Sequence, residues 1–274
     1  MSKFQDIVLL TDLDGTLLDS NEQISQENLD AIDYFIAEGG QFGICTGRNR
    51  QNACALLDNL PLNGYSIFSN GSMLYDFSVH QVLATRPIPR GAIADFLRMA
   101  IPLHPTMGVH LHTDEDSFFL SSPELTRKRT VENHQPCAFR TLDDVLDLNW
   151  IKMMFTVSPE QKDWFWEQSE TLCKTLDVDM VQAAPIYTEF LPKNSNKGAM
   201  VRHLRSILPP EATIVGVGDY YNDVEFIKEV DVGIYTENAP EELKATVTQV
   251  CAHHNHHALA DVIHRILGET QANT

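Results

Sequence analysis

Basic residues are scarce in this sequence. It contains 20 Lys and Arg against 38 Asp and Glu, so its 274 residues carry a formal net charge of −18 at pH 7. Nucleic acids and anionic membrane surfaces attract proteins that present a basic footprint. The sequence therefore disfavours both as partners, and any site for an anion must be made locally positive by a metal ion, Lys, Arg or backbone N–H groups.

Long apolar runs and cysteine pairs are also missing. No apolar run reaches the about 18 residues of a membrane-spanning helix, and the first residues lack the pattern of a signal peptide. The cysteines are odd in number and scattered, without the spacing of a zinc site: Cys45, Cys54, Cys137, Cys173 and Cys251. These absences predict a cytoplasmic location. The length suits one large or two modest domains.

The first apolar stretch, Ile7–Leu10, is typical of a buried strand in a parallel sheet. It leads into Asp12 and Asp14, followed by Gly15. Ligands of open α/β sheets bind outside the carboxyl ends of the strands. Two acids there repel each other unless a proton or cation lies between them, and Mg²⁺ suits carboxylate oxygens. The alternatives are a bare turn or a calcium loop, but an EF-hand would require Gly where Leu17 stands.

Other predicted strands also end in polar residues. Thr46, Gly47 and Arg48 follow the strand 42–45, and Asn70 follows the strand 65–68. A hydroxyl, a glycine and a cation at a strand end can bind phosphate oxygens, although a plain turn is favoured for Thr46-Gly47-Arg48 taken alone and is compatible with a functional Asn70. A fourth strand, 213–217, precedes further acids and an amide, and a fifth is predicted at 231–234. Helices between these strands predict a Rossmann-like parallel sheet.

Residues 199–208 have helical spacing, and Lys197 lies at the start of this predicted helix, where the helix dipole disfavours a cation. Such a lysine is better used to bind an anion, and Lys193 is the competing candidate. The composition and the pattern of predicted strands and helices change near residue 86, and the earlier pattern resumes near residue 190. We therefore predict a core domain, 1–85 and 190–274, with an inserted α+β domain, 86–189.

Two histidine clusters invite a metal interpretation. His110 and His112 alternate on one predicted strand and share a face, but packing is favoured over a metal pair. The run His253–His257 has the composition of a transition-metal site, yet a surface turn before the last helix is favoured.

Together these stretches resemble the four motifs of the haloacid dehalogenase (HAD) superfamily, in the form of its Cof-type subfamily IIB. The motifs are Asp12-Leu13-Asp14-Gly15-Thr16, Thr46-Gly47-Arg48, Lys197-Gly198 and Gly218-Asp219-Tyr220-Tyr221-Asn222-Asp223. The resemblance implies the HAD fold, with 86–189 as a type C2B cap domain. Tyr220 departs from the usual Gly, and His253–His257 stand where relatives carry an Asp-Gly-Val turn.

The resemblance also implies roles for individual residues. Asp12 would be the nucleophile, Asp14 the general acid and base, and Lys197 the phosphate-binding lysine. Mg²⁺ would be held by Asp12, the Asp14 carbonyl and Asp219, with Asp223 as an orienting acid beside the metal. The implied phosphate or substrate contacts are Thr46, Gly47, Arg48, Asn70, Asn222 and Glu189. For Glu189, a structural tie between the two domains is an equal alternative.

The implied activity is Mg²⁺-dependent hydrolysis of small phosphorylated metabolites, with sugar phosphates favoured, through an aspartyl-phosphate intermediate. A phosphomannomutase-like phosphotransferase is the first alternative, and a non-catalytic sensor of a phosphorylated metabolite is the second. The expected partner is thus a small metabolite, and the chain is expected to be a monomer or homodimer.

Overall fold

The apolar runs of the sequence become strands of three sheets. A computed structural model describes residues 2–57, 60–121 and 138–268. The strands are β1 (Ile7–Thr11), β2 (Gln41–Ile44), β3 (Tyr65–Phe68), β4 (Met73–Asp76), β5 (Gln81–Thr85), β6 (Gly108–Thr113), β7 (Ser117–Ser121), β8 (Ala138–Phe139), β9 (Trp150–Thr156), β10 (Val178–Ala184), β11 (Tyr187–Pro192), β12 (Thr213–Gly218), β13 (Val232–Thr236) and β14 (Gln249–Cys251).

The helices between these strands are mostly short. They are α1 (Gln26–Ala37), α2 (Arg50–Leu56), α3 (Arg90–Leu103), α4 (Lys162–Thr175), α5 (Lys197–Ile207), α6 (Val224–Glu229), α7 (Glu241–Lys244) and α8 (Ala258–Asp261). Among the described residues, none of the helices combines the length and the apolar character needed to cross a membrane.

The chain divides into two units by internal contacts. Unit 1 contains Met1–Arg48, Leu57–Ala84 and Asn196–Thr274, and unit 2 contains Asn49–Leu56 and Thr85–Ser195. Unit 2 thus extends beyond the predicted end at residue 189. It also includes α2, which the sequence had placed in the core domain.

The central sheet of unit 1 is parallel, as predicted, with the strand order β14-β13-β12-β1-β2. All of β1 is buried. Its Val8 and Leu10 lie in one apolar cluster with residues of α5 and α6. On α1, the Ser25 hydroxyl accepts a hydrogen bond from the Asn28 N–H, which caps the helix.

One predicted member of this sheet lies elsewhere, so that part of the prediction is wrong. β3 pairs with β4 in a separate sheet, β3-β4-β5, and is joined to the β2 side by a parallel bridge between Cys45 and Ile67. The Ser66 hydroxyl accepts the Ile44 N–H at 3.0 Å, where a regular ladder would use a backbone carbonyl. The fifth parallel strand is β14, which the sequence analysis missed.

Unit 2 is built on a six-stranded sheet in the order β10-β11-β9-β6-β7-β8. Most of its pairs are antiparallel, and the short β8 runs parallel to β7. Side chains of α3 and α4 join alternate strand residues, such as Met153 and Phe155, in one apolar cluster. The sequence also predicts a helix near 123–131, and that stretch lies outside the described residues.

The close approach of β2 and β3 provides a test of this arrangement. A Cβ atom on Gly43 would lie 1.7 Å from the Tyr65 carbonyl oxygen, so Gly43→Ala must force the strands apart. We expect a loss of about 1–3 kcal/mol in the free energy of unfolding, measured by urea denaturation. Gly91→Ala is the control, since no atom lies within 4 Å of that Cβ. A Gly43→Ala protein as stable as wild type would contradict this packing.

Candidate active site

The carboxyl ends of β12, β1 and β2 are neighbours, and polar residues follow each of them. The Asp12 N–H donates to the Val217 carbonyl at 2.9 Å, and the Cys45 N–H donates to the Thr11 carbonyl at 2.8 Å. The sheet thus brings the first residues after three strands to one edge, which the order of the motifs led us to expect.

A buried lysine lies between two acids at this edge. The Lys197 Nζ is 2.8 Å from Asp12 Oδ2 and 2.6 Å from Asp223 Oδ1, and the Lys197 and Asp223 side chains are fully buried. Burial opposes the lysine charge, but Asp12 and Asp223 outweigh it and raise the pKa of Lys197 above its ordinary value. The lysine is therefore charged at neutral pH. A Cβ on Gly198 would lie 2.2 Å from the Glu225 carbonyl, so the glycine permits the close packing of α5 beside α6.

Asp12 is held in a fixed orientation. Its Oδ1 accepts the Leu13 N–H at 2.7 Å, while its Oδ2 faces Lys197. Burial raises the pKa of Asp12 to about 8, Lys197 opposes that rise, and the negative Asp223 adds to it. Burial thus favours the protonated acid, and Lys197 or any further cation nearby favours the ionised carboxylate.

Asp223 orients the loop that follows β12. Its Oδ2 accepts the N–H groups of Asp219 at 3.0 Å and Tyr220 at 3.3 Å, while Oδ1 faces Lys197. Both carboxylate oxygens therefore have protein donors. Tyr220, which departs from the family pattern, retains a backbone contact to this acid.

Asp219 completes an acidic cluster. One ligand oxygen each from Asp12, Asp219 and Asp223 lies within 4.8 Å of the others. Asp219 Oδ1 accepts from the Thr16 hydroxyl at 3.0 Å. Burial, together with the charge of Asp223, raises the pKa of Asp219 to about 6. Thr16 is the last residue of the first motif, and the sequence analysis did not predict its contact with Asp219.

The donor set fits a hard divalent cation. Carboxylate oxygens are the usual protein ligands of Mg²⁺, and the raised pKa values of Asp12 and Asp219 mark anions that lack sufficient compensation. Both oxygens of Asp12 and both oxygens of Asp223 already face protein donors. The resemblance assigns Asp12 and Asp219 as direct ligands and Asp223 as the orienting acid.

Asp14 has a different environment from the one expected. The resemblance implies a general acid and base that is available to the substrate. Instead, Arg48 donates to both Asp14 oxygens, through Nε at 2.9 Å and Nη2 at 2.6 Å, and Nη2 is also 3.4 Å from Glu22. Asp14 is about half exposed, so it has solvent access for rotation and proton exchange. Arg48, expected to contact phosphate, is engaged by these two acids.

The remaining residues of the second motif form a turn. Thr46 is fully buried, and its hydroxyl accepts the Arg48 N–H at 3.1 Å. The Asn70 N–H donates to the Thr46 carbonyl at 3.2 Å, and a Cβ on Gly47 would lie 2.9 Å from Asn70 Oδ1. The three predicted strand-end residues Thr46, Gly47 and Asn70 are therefore in mutual contact.

Asn222 and Glu189 have surroundings of their own. Asn222 is exposed in the short turn Tyr221–Asp223. Glu189 belongs to unit 2, where its Oε1 lies 2.5 Å from the Lys152 Nζ and both side chains are nearly buried. The sequence analysis gave Lys152 no role. Its place on the same sheet face as Glu189 follows from strand register, which the sequence could not supply.

Three buried side chains among the described residues, Cys45, His110 and His112, are poor candidates for a nucleophile or a metal site. Burial raises the pKa of Cys45 well above its ordinary value, so it stays a protonated thiol. His110 and His112 are buried on β6, and burial with Lys152 nearby lowers the pKa of His110 to about 3. His112 Nδ1 lies 3.0 Å from the Ser117 hydroxyl. Both histidines are thus neutral packing residues of unit 2, in keeping with the favoured expectation.

Known proteins resemble the chain over nearly its whole length. The Bacillus subtilis protein named "Putative phosphatase YxeH" is 28% identical over 272 residues, which cover 95% of this chain and 98% of the relative. The HMP-PP phosphatase of Yersinia pseudotuberculosis is 27% identical, with coverage of 91% and 94%. The solved structure of the HAD subclass IIB sugar phosphatase BT4131 has a TM-score of 0.71 at 17% identity, with coverage of 94% and 98%.

These likenesses agree with the motifs and the parallel sheet. The family model described as haloacid dehalogenase-like hydrolase matches residues 9–263, which include every strand-end residue of the site in unit 1. The chain therefore belongs to the haloacid dehalogenase-like hydrolase family.

Proposed function

We propose that this protein is a Mg²⁺-dependent phosphomonoesterase that hydrolyses small phosphorylated metabolites, including sugar phosphates. The observation that carries the proposal is the buried Asp12 carboxylate, held against Lys197 with Asp219 and Asp223 within reach. The phosphatase and sugar phosphatase names of the relatives support it.

Asp12 would act as the nucleophile. Its carboxylate oxygen forms a bond to phosphorus while the bond from phosphorus to the leaving oxygen breaks, which gives an aspartyl-phosphate. Lys197 would stabilise the phosphoryl oxygens next to Asp12, and Thr46, Gly47, Asn70 and Asn222 would contact them. Mg²⁺ bound by Asp12, the Asp14 carbonyl and Asp219 would supply charge neutralisation at the phosphoryl group.

Asp14 would transfer the protons. In the first step it gives a proton to the leaving oxygen, and in the second it takes one from the water that attacks phosphorus. The bond between phosphorus and Asp12 then breaks, which releases phosphate and restores the carboxylate. For this role Asp14 must leave Arg48, and an incoming phosphate offers Arg48 a replacement anion.

Removal of the nucleophile tests the central assignment. Asp12→Asn keeps an oxygen for the Leu13 N–H but cannot form the acyl phosphate, and Lys197 keeps Asp223 as a partner. We expect phosphate release from p-nitrophenyl phosphate to fall by about a thousandfold or more. Asp33→Asn, an exposed acid on α1, is the control and should keep full activity. Activity that survives in Asp12→Asn would refute the nucleophile.

Metal removal tests the cofactor. Chelation should abolish activity and added Mg²⁺ should restore it, because the acidic cluster otherwise repels a phosphate dianion. Asp219→Asn should raise the half-maximal Mg²⁺ concentration by about tenfold or more. Mg²⁺ should also raise the melting temperature of wild type more than that of Asp219→Asn, because binding stabilises the folded state. Equal responses of the two proteins would contradict a metal site at Asp219.

A substrate panel tests the chemical class. Wild type with Mg²⁺ should release inorganic phosphate from several sugar phosphates, and HMP-PP is a further candidate from the relatives. Incubation of a hexose 1-phosphate should yield free hexose and phosphate. Appearance of the 6-phosphate isomer without free phosphate would identify a phosphotransferase. Tight binding with no turnover would identify a sensor.

A further inference from the structure

The histidine run near the end of the chain contacts the loop that follows Asp12. The His254 Nδ1 lies 2.8 Å from the Leu18 carbonyl oxygen, and the His254 N–H donates to Asn238 Oδ1 at 3.1 Å. The Asn238 Nδ2 in turn donates to the Gly15 carbonyl at 2.9 Å. Residues distant in sequence therefore hold two carbonyls of the short loop that carries Asp14.

The partners fix both side chains. A carbonyl oxygen only accepts, so the His254 imidazole must carry its proton on Nδ1. The Asn238 amide is oriented in the same way, because its oxygen faces an N–H donor and its nitrogen faces the Gly15 carbonyl. The pair therefore forms a continuous chain of donors and acceptors from His254 to the loop.

The loop tolerates little displacement at this point. Gly15 has φ of +75°, and a Cβ there would lie 2.3 Å from Asp219 Oδ2. The Leu18 N–H closes the turn on the Leu13 carbonyl at 2.9 Å. A shift of the Gly15 peptide would therefore move Asp14 relative to Asp12 and Asp219, which lie on the neighbouring strand ends.

Two further contacts attach the same segment beyond this loop. Asn255 Oδ1 accepts from the Ser20 N–H at 2.9 Å and from its hydroxyl at 3.1 Å. The His257 Nδ1 lies 2.9 Å from the hydroxyl of Ser25, the cap of α1. Three residues of the histidine run, His254, Asn255 and His257, thus contact residues between Leu18 and Ser25.

We propose that Asn238 and His254 are positioning residues that hold the loop so that Asp14 can deliver its proton to the leaving group. This inference rests on the proposed phosphatase function. It assigns a role to the histidine run that the sequence interpretation, a surface turn or a metal site, did not provide.

The test uses two substrates that differ in their need for a proton. The nitrophenolate leaves p-nitrophenyl phosphate as a stable anion, whereas the alkoxide of an alkyl phosphate requires the proton of Asp14. The ratio kcat/KM reports the steps up to the departure of the leaving group. A misplaced Asp14 should therefore lower kcat/KM mainly for the alkyl phosphate.

The variants alter single contacts of the chain of hydrogen bonds. Asn238→Asp places an oxygen against the Gly15 carbonyl, and His254→Leu removes the donor to Leu18. Each should lower kcat/KM for the alkyl phosphate about tenfold or more, and for p-nitrophenyl phosphate less than about threefold. His254→Asn keeps a side-chain N–H near the Nδ1 position and should restore most of the activity. His256→Ala, an exposed neighbour, is the matched control.

The outcomes separate the two hypotheses. If wild type hydrolyses neither substrate, the proposed function fails before positioning is addressed. If wild type is active and the variants lose activity equally on both substrates, or lose none, the positioning role is overturned. If Asn238→Asp does not fold, the comparison of His254→Leu with His254→Asn applies the same criterion.

Discussion

The site in unit 1 depends on the burial of one ammonium group between two carboxylates. Lys197 is the first residue of α5, where the helix dipole disfavours a cation, and its side chain has no solvent exposure. Asp12 and Asp223 outweigh both penalties. Breaking a buried pair by removing one partner typically costs about 3–5 kcal/mol. The ends of β1 and β12 and the start of α5 are thereby fixed relative to one another.

Much of this convergence could be predicted from the sequence, because it follows from topology. Ile7–Leu10 and Thr213–Val217 are apolar runs that end in acids, and parallel neighbours place their carboxyl ends at one edge. The predicted sheet was wrong where side chains decide the pairing. Ser66 replaces a ladder contact beside β2, and no sequence period signals such a substitution.

The ion pairs and hydrogen bonds of the site residues were harder to predict than the identity of those residues. Arg48 and Asp14 were both expected at the site, but their mutual ion pair depends on side-chain conformations at two strand ends. The contacts of Asn238 and His254 to the loop depend on backbone groups that carry no residue signature. Sequence motifs identify the polar residues of a site, whereas the hydrogen bonds between them can be assigned only from the structure.

The charge balance of the site sets an order of binding under the proposed chemistry. Lys197 is already neutralised by Asp12 and Asp223, Arg48 already faces Asp14 and Glu22, and Asp219 adds a further acid. Two unit charges 4 Å apart interact by about 4 kcal/mol at an effective dielectric constant of 20. A phosphate dianion would therefore be repelled until a divalent cation occupies the acidic cluster. Under this proposal the metal would bind before the substrate, and the acidic protein could then accept an anionic substrate.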